Sequence, residues 1–404
     1  MAVEDARPAR ATDRASLVND PKVRGAVYQI LLVLALAWLI WEIIDNTRTN
    51  LEQRNMATGW GFLDETAGFG IILNLVQYSE VSSYGRALFV GFLNTLLVAG
   101  IGVFFATVIG FIVGIARLSK NWVISRIAYV YIEVLRNIPL LLQIFFWYFA
   151  VLRAVPGKRE MGTIIPGFHL NIAGLRGPAP VFQEGSTATV VAFILAVALT
   201  VAVKIWAGRR QAATGEQFPV LWTAIGLIVG LPLIIFLATG MPISISYPEF
   251  KETGPILMRG FQEGTGFVLI PEFLSLLLAL SLYTATFIAE IVRAGILAVS
   301  HGQTEASYAL GLRPGSTLRL VIIPQAMRVI IPPLTSQYLN LTKNSSLAVA
   351  IAYPDLVSVG GTVLNQTGQA IEIIAIWMLV YLTISLLTSA FMNWYNKRMA
   401  LVER

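Results

Sequence analysis

Residues able to do acid–base or metal chemistry are few and scattered in this sequence. Cysteine is absent and there are two histidines, His169 and His301, so no disulfide, thiolate site or multi-histidine metal centre can form. No nucleophile or acid–base set is clustered. No Gly-x4-Gly-Lys-Ser/Thr phosphate loop occurs, since Gly157-Lys158-Arg159 lacks the glycine five residues upstream. The chain is not read as an enzyme, and no catalytic, metal or cofactor-binding residue is assigned. The remaining candidates are electrostatic and mechanical. Glu133 and Arg136 are three apart, as are Glu290 and Arg293, a spacing that lets opposite charges meet on one helical face. For each pair, a structural ion pair and a place on a polar pathway are both open. Asn137-Ile138-Pro139 must break the helix that follows Glu133, freeing backbone groups that can line a cavity. Lys343-Asn344-Ser345-Ser346, preceded by Gln337, Asn340 and Thr342, puts one cation and several neutral hydrogen-bonding groups into an apolar stretch. Such a set suits passage of a zwitterion without tight grip; polar helix packing with a snorkelling lysine is the other reading. Asn94-Thr95 reads as a packing hydrogen bond, and Phe145–Phe149 as an interfacial aromatic belt.

The elements that carry these residues follow from composition. Of 404 residues, 56% are hydrophobic and 13% charged; a soluble chain needs more charge to cover its surface. The net charge of +6 is spread over short loops, unlike a nucleic-acid-binding face. A bilayer core requires about 20 apolar helical residues. Runs of that order are Gly25–Trp41, Ala87–Ala116, Ile138–Leu152 with a polar lead-in from Arg126, Gly185–Val203, Phe218–Gly240, Phe273–Ala289, Ile322–Leu341 continued by Leu347–Ala352, and Ile373–Met392. The seventh is interrupted by Arg328, Pro332, Pro333 and Lys343. This predicts an all-α membrane protein of about eight spans. With both termini inside, the inner ends carry twice as many Lys and Arg as the much longer outer loops, as the positive-inside rule demands. The first span lacks a small-x-small cleavage site after Trp41 and reads as an uncleaved anchor. Asp45–Arg86 is long enough for an outer helix or lid. Arg153–Glu184 and Met241–Pro271, rich in Gly and Pro, are expected to be irregular.

One inner loop stands out: Ser300–Pro324, SHGQTEASYALGLRPGSTLRLVIIP. Ser300 followed by Gln303 is the pattern of a capping box. Gly311 suits a left-handed C′ position, and Pro314 forbids continuation. The spacing predicts a helix of about ten residues, about 15 Å long. Ala306, Ala309 and Leu310 give it a small apolar face, flanked by Gln303, Glu305 and Tyr308. A short helix stopped at both ends is a rigid knob that can dock in a groove of another protein.

The spacing Glu305-Ala306-Ser307-x3-Gly311-x9-Val321-x-Ile323-Pro324 resembles the EAA loop of importer-type ABC permeases. The departures are two hydrophobic swaps and Ser for the second Ala. Tyr131–Phe149 and Pro324–Ala352 resemble segments of polar-amino-acid permeases of the histidine/glutamine class. The N-terminal span, Asp20–Gln29 and the two-span insertion around Gly185–Gly240 are similar to the larger permease subunit of general L-amino-acid or glutamate/glutamine/aspartate/asparagine importers. The resemblance implies a type I core of five helices and divides the chain into 1–86 (anchor and outer segment), 87–152 (first part of the core), 153–257 (insertion) and 258–404 (second part of the core). It implies that Ser300, Gln303, Glu305, Ala306, Ser307, Tyr308, Ala309, Leu310, Gly311 and Pro324 couple to a cytoplasmic ABC ATPase dimer, which binds ATP and Mg; none binds here. A second permease subunit and a periplasmic amino-acid-binding protein are the other expected partners, in a bacterial inner membrane. Lys343, Asn344, Ser345, Gln337, Asn340, Asn137, Glu133 and Glu290 are the candidates for the substrate pathway. The alternative is an ion-coupled secondary transporter of amino acids, which should show inverted repeats with paired broken helices; breaks are expected near Pro139 and Pro332, without a repeat.

Overall fold

The computed structural model of the chain describes residues 21–53, 58–253, 255 and 259–399. Arg7, Arg10, Arg14, Arg54 and Arg404, used in the charge count, lie outside them. Among the described residues, seven helices are long and apolar enough to cross a membrane, and a bent pair brings the number to eight. The first, α1 (Pro21–Gln53), is exposed around its apolar middle, Trp38 and Trp41 included, as suits a helix solvated by lipid. The core is built from α2 (Tyr84–Arg117), the bent pair α3 (Trp122–Asn137) and α4 (Leu140–Phe145, continued by a π-turn to Val151), and, beyond an insertion, from the helices that follow it.

The bend is 105°, and its cause is local. Pro139 supplies no N–H, and Ile138 before it is extended (φ −92°, ψ 128°). The carbonyls freed at Leu135 and Ile138 both accept from the buried Gln143 Nε2, at 2.7 and 3.0 Å. The pair nonetheless spans. The Ser125 hydroxyl donates to the Arg117 carbonyl at the inner end of α2 (3.0 Å). Tyr131 donates to the Leu282 carbonyl in the middle of the sixth span, and Tyr148 to Glu272 at its outer end (2.8 and 2.9 Å).

The Gly- and Pro-rich outer loops are not irregular. Among the described residues they carry eight short strands: β1 (Thr163–Ile165), β2 (Phe168–Asn171), β3 (Gly174–Gly177) and β4 (Ala179–Phe182) from the first loop, and β5 (Ile243–Ser246), β6 (Phe250–Lys251), β7 (Gly260–Phe261) and β8 (Phe267–Leu269) from the second. The main sheet has the order β1-β2-β3-β8, all antiparallel, and β4 pairs with β5. Strand β8, past the expected boundary at 257, thus belongs to the same module. Glycine here marks close approach rather than disorder: a Cβ at Gly174 would strike the Leu269 carbonyl, and one at Gly177 the Phe267 ring. The two loops pair because α5 (Ser186–Thr214) and the hairpin partner α6–α7 (Val220–Ile225, then Leu231–Ala238 after a π-turn) return the chain to the side it left.

The core closes with α8 (Pro271–Leu297), the short helices α9 (His301–Ala309) and α10 (Pro314–Thr317), α11 (Ile323–Asn344), α12 (Leu356–Thr367) and α13 (Ala370–Met399). Small residues let α2, α8 and α11 approach closely. Gly114 faces the Ala289 carbonyl and Val292, Gly110 faces Ile288, and Gly295 faces Ile330. Gly114→Val is therefore expected to destabilise the protein by about 1–3 kcal/mol through overpacking. Gly100→Val, with nothing within 4 Å, should leave thermal unfolding in detergent unchanged.

Two expectations are corrected. Of Asp45–Arg86, expected to form an outer helix or lid, residues 45–53 are helical as the end of α1, whereas 58–83 is no lid: Phe62, Ala67 and Ile71 are buried in one cluster with Tyr84, Leu356, Val359 and Ile373. The seventh span is not broken at Pro332; α11 runs through both prolines, which sit exposed on its surface. Only the Pro139 break forms, so the paired breaks of a repeat architecture are not found among the described residues.

Candidate functional site

Helix α9 follows α8 at the end opposite the β module, so His169 in β2 and His301 are separated by the length of α8, about 40 Å. The C-terminal stop forms as expected. Gly311 is left-handed (φ +76°), its N–H meets the Tyr308 carbonyl at 2.9 Å, and the Leu312 N–H meets the Ser307 carbonyl at 3.1 Å, the two bonds of a Schellman motif. The N-terminal stop differs. Ser300 occupies the N-cap, but its side chain makes no capping bond, so the capping box does not form. Gln303 is engaged elsewhere: its Oε1 accepts from Gln325 Nε2 at 3.2 Å, tying α9 to the first turn of α11 beside Pro324.

This tie fixes which face looks outward. Ser307 is buried, 4% exposed, and its hydroxyl donates to the Gln303 carbonyl. Glu305, Ala306, Tyr308, Ala309 and Leu310 are exposed, Leu310 at 82%. A solvent-facing leucine on a helix held by its C-terminal stop and a side-chain tie is an apolar knob without a partner among the described residues. Glu305 is paired with His301 at 3.0 Å, four residues earlier; sequence reasoning passed over this contact, although the i, i+4 spacing signals it.

The membrane candidates separate into groups. Asn340 and Lys343 are exposed on one face of α11 with Val329, Pro332, Pro333 and Ser336, positions that a 100° step per residue brings together. No carboxylate pairs with Lys343 among the described residues. Gln337 and Asn344 are half-buried at its margins. Ser345 leaves the set: it is fully buried and donates to the Thr342 carbonyl at 2.7 Å. Glu133 pairs with Arg136 at 3.2 Å, and Asn137 Nδ2 donates to the Glu133 carbonyl at 2.6 Å. Glu290 pairs with Arg293 at 3.0 Å. Both pairs are local to their own helices, on α3 and α8. Gln143, the donor that holds the bend, was missed because its role depends on carbonyls freed by Pro139. Gln143→Met keeps the volume and orphans both carbonyls; it is expected to cost about 2 kcal/mol, read as a lowered thermal midpoint in detergent.

A second polar cluster joins α2 to the segment before α12. The side-chain amide of buried Asn94 donates to the Leu73 and Pro354 carbonyls, both at 2.9 Å, and the Asn94 backbone carbonyl accepts from the Tyr353 hydroxyl. Thr95 accepts from the Leu356 N–H at 3.0 Å. The packing role expected of Asn94-Thr95 is what the geometry has. Asp355, fully buried, caps α12 by accepting from the Ser358 N–H at 2.8 Å, while its Oδ2 has no hydrogen-bond partner among the described residues. Burial pushes this carboxyl up to about 7.

Comparison with known proteins gives one consistent picture. Residues 106–401 match the model of the family described as binding-protein-dependent transport system inner membrane component. The chain is 54% identical to the general L-amino acid transport system permease protein AapQ of Rhizobium johnstonii, covering 96% of this chain and 95% of that one. It is 50% identical to the putative amino-acid ABC transporter permease protein YhdX of Escherichia coli, covering 98% and 99%. It is 41% identical to the glutamate/glutamine/aspartate/asparagine transport system permease protein BztB of Rhodobacter capsulatus, again over 98% and 99%. Among solved structures, an amino acid ABC transporter crystallised with histidines aligns with a TM-score of 0.45 at 19% identity, over 78% of this chain and 95% of that one.

Proposed function

This chain belongs to the family of binding-protein-dependent transport system inner membrane components, and from that membership we propose that it is the permease subunit of an ABC importer that moves L-amino acids by alternating access. The observation that carries the proposal is the solvent-facing Ala306, Ala309 and Leu310 surface of α9, on a helix stopped by a Schellman motif and tied through Gln303 and Gln325 to α11. α9 docks in a cytoplasmic ABC ATPase dimer, which binds ATP and Mg; this chain binds neither. Closure of the ATPases pushes α9, and the rigid tie passes the displacement to α11. The polar face of α11 with Ser336, Asn340 and Lys343 then lines the pathway, with Gln337 and Asn344 at its edges and the Glu133 and Glu290 pairs toward the inner mouth. An unpaired cation on a membrane helix is costly unless it faces protein or water. A second permease subunit covers this face, and the two together enclose the pore. A periplasmic binding protein delivers the amino acid to the outer side, in a bacterial inner membrane. No observation favours the ion-coupled alternative.

Reconstitution with the ATPase, the second permease and the binding protein in proteoliposomes tests the proposal. Uptake of L-glutamine is expected to require ATP and to be indifferent to proton and sodium ionophores. Uptake that follows an ion gradient without the ATPase would contradict it.

A further inference from the structure

A cavity of about 350 Å³ opens at the outer end of the core, where the bent span, the start of α8 and the β module meet. Its lining is Tyr148, Leu152, Arg153, Ile172, Pro271 and Glu272. Two opposite charges border it, and no ion pair joins them. The Arg153 guanidinium lies over the Phe149 ring, 5.3 Å from its centroid, a contact that positions the cation while leaving its N–H donors available. Glu272 accepts from the Tyr148 hydroxyl through Oε1 at 2.9 Å, and its Oε2 has no hydrogen-bond partner among the described residues. Tyr148, expected from sequence to belong to an interfacial aromatic belt, orients a carboxylate at this cavity.

We propose that this cavity is an outer subsite for the zwitterionic end of an α-amino acid, with Arg153 taking the carboxylate and Glu272 the ammonium. The inference rests on the amino-acid import reading and deepens it. A guanidinium grips a carboxylate through two parallel N–H donors, and a carboxylate accepts from an ammonium. Opposite charges held apart across a cavity are a complement to a ligand that bears both. The volume lies at the small end of ligand pockets, about 300–1,000 Å³. The rest of the wall is Leu152, Ile172 and Pro271, which make no polar demand on a side chain. A site that reads only the groups shared by every α-amino acid accepts a broad range of them.

Saturation-transfer NMR on the complete transporter in nanodiscs, without ATP, tests the subsite with L-glutamine as the probe. Arg153→Gln and Glu272→Gln are each expected to lower the transfer signal at least about five-fold, since each removes one charge-assisted contact. Arg153→Lys, which keeps the charge but not the two-donor fork, should give a signal between those of the wild type and Arg153→Gln. N-acetyl-L-glutamine, without the ammonium, and L-glutaminamide, without the carboxylate, should give weak signals on the wild type. A signal that survives in either neutral variant overturns the subsite, provided the variant keeps the wild-type thermal midpoint, as exposed Arg153 should. ATP-driven uptake by the wild-type complex is measured alongside. Its absence would overturn the import reading, whereas its presence with insensitive transfer signals would overturn the subsite alone.

Discussion

Glu305→Lys is expected to lower ATP-driven uptake by about a hundred-fold and to release the ATPase from the purified complex, with the membrane level of the chain unchanged. The side chain of Glu305 is 71% exposed, and its contact with His301 is an exposed i, i+4 pair. Such pairs contribute little to folding, so the helix and its Schellman stop survive the substitution. At a docked interface the same reversal places a cation where the partner is complementary to an anion, and like-charge juxtaposition there costs several kcal/mol. A loss of about 2.7 kcal/mol is a hundred-fold in affinity. Transport assays and co-purification read the two consequences separately, and both must fail together. Normal uptake in this variant would remove α9 from the coupling path.

The second large effect concerns Asp355. Its carboxyl is raised from 3.8 to about 7 by burial, so the folded state holds a proton that the unfolded chain has released between those values. Stability is therefore undiminished below about pH 4 and falls as pH rises towards 7, by up to about 4 kcal/mol in total. Asp355→Asn keeps an oxygen to accept the Ser358 N–H, and so keeps the cap. It removes the titration. Thermal unfolding in detergent should show the variant level with wild type at pH 4 and more stable above pH 7. An unchanged pH slope in the variant would assign the dependence to another group.

What could be read from sequence follows from how local each signal is. The spans were legible because apolar length is a property of contiguous residues, and the α9 stop was legible because Gly311 and Pro314 act within one turn. The capping box at Ser300 was misread because Gln303 bonds across to Gln325, a partner chosen by tertiary packing. Pro332-Pro333 looked like a break and is none, whereas Pro139 breaks its helix where Gln143 can donate to the freed carbonyls. The β module was missed because its strands are short and two of its pairings join loops that are distant in sequence, Arg176 with Val268 and Val181 with Ser244. Ser345 sat beside Lys343 in the sequence, yet the passage from α11 into a 3₁₀ turn buries it. Asp355 carried no signal at all, since an isolated aspartate after a proline reads as a loop residue.

On the proposed mechanism α9 lies in the cytoplasm and receives mechanical work from the ATPase. The chain has no cysteine, so Leu310→Cys creates a single thiol at the C-terminal end of α9, at a position that is 82% exposed. Labelling with a membrane-impermeant maleimide, in right-side-out and inside-out vesicles, reads its location directly. The account expects labelling only in inside-out vesicles stripped of the ATPase, and protection when the ATPase is restored. Labelling from the outer side, or equal labelling with and without the ATPase, would contradict it.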